Sequence, residues 1–155
     1  MKTRRCTLSA ILVLFFAFTA FAAIDHIWSF AELRDRATLV VIATPIKVTA
    51  TGQSTNIGVL RGKEIQTTFR VMTMLKGALS TNAFLLRHFS DEKPKQVYVN
   101  NSPRLVSFEP KDKLPYLMFL QREDDGRYAA VSGHWSPQDS ILLLPASGFR
   151  ASMTP

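Results

Sequence analysis

Apolar positions along this chain change rhythm as they proceed, and each rhythm marks a different kind of segment. From Ala10 to Phe21 they run almost unbroken, interrupted only by Thr19. Lys2, Arg4 and Arg5 precede this run, and the small-residue pattern Ala20-Phe21-Ala22 closes it. A positive start, a short apolar stretch and an A-x-A end are the features of a secretory signal. A membrane-spanning helix needs roughly 20 apolar residues, and here Asp25 and His26 follow almost at once. The pattern predicts a signal peptide over 1–22, a single domain over 23–150 and a frayed tail over 151–155.

A helical rhythm comes next and is brief. Ser29 stands three residues before Glu32, the spacing of a capping box, and Phe30 and Leu33 share one face. This predicts a short helix over 29–36, with Trp28 packing it onto the rest of the domain. Thr38-Leu39-Val40-Val41-Ile42-Ala43-Thr44 is then β-branched and apolar at successive positions, which predicts a strand buried on both faces. Pro45 predicts a bend or bulge before Ile46-Lys47-Val48-Thr49 resumes in alternation.

The remaining rhythm has a period of two. Gly52 to Gly62 is polar and glycine-bearing, and predicts a loop or ragged hairpin. Ile65 to Leu75 predicts a strand with Phe69, Val71, Thr73 and Leu75 on one face and Arg70, Met72 and Met74 on the other. Ala83 to Phe89 predicts another, and Val97–Val99 and Leu105–Phe108 predict short strands around a turn-rich Asn100-Asn101-Ser102-Pro103. Tyr116–Leu120 and Tyr128–Val131 flank Glu123-Asp124-Asp125-Gly126, a hairpin whose positive φ Gly126 can supply. Ile141–Leu144 predicts a closing strand or a last buried segment. The fold class is therefore mainly β: a small five- to six-stranded OB-like barrel with one short N-terminal helix.

Charge and cysteine content change this picture once the signal is set aside. Loss of Lys2, Arg4 and Arg5 lowers the formal net charge from +7 to +4. The remaining bases are scattered and form no run of like charge, so a nucleic-acid arm is not indicated. Cys6 is the only cysteine and lies in the signal. The mature domain is then thiol-free, which excludes a disulfide framework, a cysteine nucleophile and a thiolate metal site. The expected location is the periplasm or the extracellular space, with no transmembrane anchor after cleavage.

Phe69-Arg70-Val71-Met72-Thr73-Met74-Leu75-Lys76-Gly77 resembles the F-x-V-x-x-x-L-K-G strand of exported bacterial proteins related to the netrin and tissue-inhibitor-of-metalloproteinase module. Val106-Ser107-Phe108 and Lys113-Leu114-Pro115-Tyr116-Leu117-Met118-Phe119-Leu120 resemble that family's F-x-x-G-x-x-Y-L-x-F strand, with Asp112 and Lys113 where a glycine-centred turn is usual. The resemblance implies an OB-like five-stranded barrel. It carries no inhibitory chemistry, because the N-terminal cysteine that would chelate a protease zinc is absent.

Candidate chemistry is sparse. His26, His88 and His134 show no short metal-ligand spacing, no G-x-S-x-G elbow occurs, and Asp124 and Asp125 read as a solvated turn. Gly58-Val59-Leu60-Arg61-Gly62-Lys63-Glu64 has the wrong spacing for a phosphate loop and reads as a polar hairpin tip. The best binding surface is aromatic and basic: Trp135 in a turn, with Tyr128, Arg87, Arg70 and His134 near it as ligand-binding candidates. The alternative for Trp135 is packing at the barrel end. The leading expectation is a non-enzymatic exported module, without cofactor, that binds a protein, a peptide or an envelope glycan. A metal-dependent or hydrolytic enzyme using His88 and His134 is the alternative, and a salt-sensitive binder of anionic polymers is a third.

Overall fold

The computed structural model describes residues 26–58, 60–91 and 102–145. The predicted signal over 1–22, the expected strand Val97–Val99 and the tail over 151–155 lie outside the described residues. The one α-helix among the described residues, α1 (Phe30–Arg36), begins with the expected capping box. Ser29 Oγ accepts from the Glu32 backbone N–H at 3.2 Å, and Glu32 Oε2 accepts from the Ser29 N–H at 3.0 Å. Leu33 is buried against Ala37, Val40, Phe119 and Val131, with Trp28 packed on the same cluster. Phe30 stays largely exposed, so the helix docks through Leu33 and Trp28.

Among the described residues six strands follow: β1 (Leu39–Ile57), β2 (Leu60–Lys76), β3 (Ala83–Asp91), β4 (Tyr116–Arg122), β5 (Tyr128–Ala130) and β6 (Ile141–Leu143). β1 pairs with β2, β2 with β3, β3 with β5, β5 with β4, and β4 returns to β1. These five close on themselves as an OB-like barrel, and β6 lies beside β4 outside the ring. The closing contacts differ in strength. β1 and β4 share a ladder from Leu39↔Leu120 to Ala43↔Tyr116, whereas β3 and β5 meet in parallel at Leu86↔Tyr128 alone.

The doubly apolar run has a direct structural cause. Leu39, Val41 and Ala43 face the barrel interior, while Val40 faces α1. Alternation in a strand puts neighbours on opposite faces, and here both faces are covered. Inside the barrel, Phe69 stacks on Phe84 at 5.5 Å and meets the edge of Phe108 at 4.9 Å.

Two sequence expectations are corrected, the alternation of β2 and the strand at Leu105–Phe108, and two are borne out. Gly52–Gly62 is the ragged hairpin of its two readings: β1 and β2 form one long hairpin that turns at Gly58, with an irregular register between Ala50 and Ser54. The expected bulge at Pro45 is present, as a register shift between Pro45 and Lys47. A further shift between Ile42 and Ala43 breaks the alternation of β2 beyond Val71, so that Met74 stands opposite the core residue Val41. Leu105–Phe108 is irregular rather than a strand. Phe108 instead inserts its ring among Phe69, His88 and Tyr116, plugging the barrel. An apolar side chain can be buried from either backbone, and its periodicity over four residues does not tell which.

Candidate functional site

Two neighbouring features on the outer wall of the barrel hold the polar chemistry of the described residues. The first is an ion-pair network across β2, β3 and the β4–β5 turn. Glu64↔Phe89 and Gln66↔Arg87 are register pairs, so Glu64 and Arg87 lie on the same outer face of β2 and β3. Glu64 is buried and accepts from Arg127 Nη1 at 2.7 Å, with Arg87 Nη1 at 3.8 Å from its other oxygen. Arg87 also grips Glu123 with two nitrogens, Nε at 2.7 Å from Oε2 and Nη2 against Oε1. Arg127 closes the chain of charges on Asp125, Nε to Oδ2 at 2.8 Å.

His134 completes the network from the turn after β5. Arg87 Nη2 donates to its Nε2 at 3.2 Å. A guanidinium can only donate, so Nε2 is an acceptor and the ring proton sits on Nδ1. Burial lowers the His134 pKa, and the adjacent Arg87 cation lowers it further against the opposing pull of Glu123 and Glu64. Arg127 hydrogen bonds hold the Asp125 carboxyl below its ordinary range. Every carboxylate beside His134 is thus already committed to an arginine. The arrangement braces four segments of chain, and general acid–base work would have to break it.

The second feature is a groove of about 680 Å³ between the β2–β3 connection and the β4–β5 turn. It is lined by Thr68, Ala83, Leu85 and Tyr128 on the strands, by Ala78–Thr81 of the β2–β3 connection, and by Arg122, Gly126 and Arg127 at the β4–β5 turn. It exists because β5 is only three residues long and pairs with β3 at a single position. Gly126 adopts φ +85 in the tight turn, and the Arg122 guanidinium lies across it, 3.8 Å from where a Cβ would stand.

The structure distributes the predicted site residues unevenly. Arg87 and His134 come together as described. Tyr128 is a core residue, its ring edge against Phe84 at 5.6 Å, with one side reaching the groove. Arg70 is exposed on β2 opposite Ala83, and its side chain does not line the groove. Trp135 is half-buried over the hairpin tip, where its ring occupies the space a Gly58 Cβ would need, 2.0 Å from Cζ3. That is the geometry of a packing contact. His88 and His134 lie on opposite sides of β3: His88 faces the core, bonded to Thr67 Oγ1 at 2.8 Å and edge-on to Phe108. Among the described residues no three His, Cys, Asp or Glu side chains are grouped as metal ligands.

Glu64, Glu123, Arg122 and Arg127 were not signalled by sequence. Glu64 read as part of a hairpin tip, yet it is a buried strand residue whose partner Arg127 lies 63 positions away. Asp125 is exposed in the turn, as read, and is also paired with Arg127. The local signal available was a lone acid within a strand that is otherwise β-prone.

No protein-family model matches the chain, and no match is found among curated proteins.

Proposed function

We propose that this chain is an exported, non-enzymatic OB-like binding module, acting in the periplasm or outside the cell on a protein, peptide or envelope-glycan partner. The observation that carries the reading is the groove beside β3. Its volume falls within the range of about 300–1,000 Å³ typical of ligand sites, and it sits where a single residue pair closes the barrel. Apart from Arg122, the ionisable groups next to it are consumed in mutual pairing, which suits a rigid wall better than a reaction centre. Export rests on the leading segment, and the relation to the netrin-like module rests on the two strand motifs, which fall on β2 and on the stretch leading into β4. At the glycine position of the second motif, Lys113 adopts the left-handed conformation, φ 49, that glycine favours.

The test uses purified mature protein and an envelope extract separated into protein, peptide and glycan fractions. Saturable binding to one fraction, lost when Ala83→Trp fills the groove without lowering Tm, is the expected result. Time-dependent conversion of any fraction, or binding indifferent to Ala83→Trp, would overturn it. Sequencing the N-terminus of the exported protein checks processing before Ala23.

A further inference from the structure

We infer that the groove takes an acidic peptide segment, with a carboxylate on Arg122 and an aliphatic side chain against Leu79 and Leu85. The inference rests on the binding-module reading and narrows it to one ligand chemistry. Charge is the first argument. Three ionised side chains line the groove, Arg122, Arg127 and Asp125, and they sum to +1. Arg127 and Asp125 neutralise each other through contacts of 2.7–2.9 Å, and Arg127 is further held by Glu64. Arg122 is exposed, and among the described residues no acid or hydrogen-bond acceptor meets its guanidinium. It lies over Gly126, and its planar fork matches a carboxylate bidentately.

The apolar lining is the second argument. Leu85 is 41 % exposed in the groove, and Ala78 and the half-buried Leu79 line it as well, Leu79 with part of its side chain packed on the core. Burial of a ligand's aliphatic side chain here would cover surface the protein leaves in water. Ring stacking is what a sugar or a base would need from such a site. The two aromatics in the lining offer none, since Phe84 is 5 % and Tyr128 7 % exposed. A cation beside an aliphatic slot, flanked by the Thr68 and Ser80 hydroxyls, fits a peptide carrying glutamate or aspartate next to leucine or valine.

The experiment measures binding of three probes to the mature protein by fluorescence polarisation. They are a capped hexapeptide alternating Glu and Leu, its Gln-for-Glu counterpart, and a uronate oligomer of matched charge. The Glu peptide should bind saturably, and both the Gln peptide and the variant Arg122→Gln should weaken binding at least tenfold, the scale of one lost charge-assisted contact. Arg122 is exposed, so its substitution should leave Tm unchanged. Equal binding by Arg122→Gln, or equal binding of the uronate, would overturn the inference. If no peptide binds while an envelope fraction still binds in an Ala83→Trp-sensitive way, the acidic-peptide chemistry fails and the binding-module reading stands. If nothing binds, both fail.

Discussion

Acidification should destabilise this protein through one buried histidine. His88 is 5 % exposed inside the barrel, its Nε2 bonded to Thr67 and its Nδ1 without a hydrogen-bond partner among the described residues. Burial pushes its pKa from 6.5 down to about 4, outweighing the nearby backbone of Val106 and Phe89, which favours the proton. The unfolded chain therefore takes up a proton as pH falls below about 6.5, while the folded chain resists until about 4. The neutral ring's stability is fully present at neutral pH and is lost across that window. A shift of one unit corresponds to about 1.4 kcal/mol, so the cost on going from pH 7 to pH 4 is about 3 kcal/mol. Urea unfolding of the wild type and of His88→Leu at both pH values isolates the contribution, because carboxylate effects are common to the two proteins. The variant should lose about 3 kcal/mol less than the wild type on acidification. Adding Thr67→Val to the variant controls for the hydroxyl left without its partner. Equal acid losses in wild type and variant would refute the account.

Further outcomes follow from single contacts. Lys113→Gly should raise stability by about 0.5–1 kcal/mol, because glycine adopts the left-handed φ without strain; no gain in urea midpoint would count against the strained turn. Trp135→Ala should cost about 2 kcal/mol as a packing residue. Gly58→Ala should then be far less harmful in the Trp135→Ala background than alone, and a double-mutant cycle that sums additively would remove the latch between hairpin tip and turn. Glu64→Gln should cost about 2 kcal/mol by leaving two arginines facing a neutral amide. High salt should not reproduce that loss, since a buried pair is poorly screened.

Local order was readable wherever adjacent residues decide it. The capping box at Ser29 and Glu32, the doubly covered run from Leu39 to Ala43, the bulge at Pro45 and the Gly126 turn all follow from spacing, branching or φ preference over a few positions. The mainly β, OB-like class was readable for the same reason, because strand number and turn spacing restrict the closed forms available. Only the tertiary structure decided that Phe108 plugs the barrel instead of extending a ladder, and that Tyr128 serves the core. The same holds for the groove, which arises from the shortness of β5, and for Glu64, which becomes a charged anchor only when Arg127 arrives. Periodicity reports which face of a strand a residue occupies, but not what other segments close over that face. Long-range pairing supplies that information, and in this protein the site is made almost entirely of it.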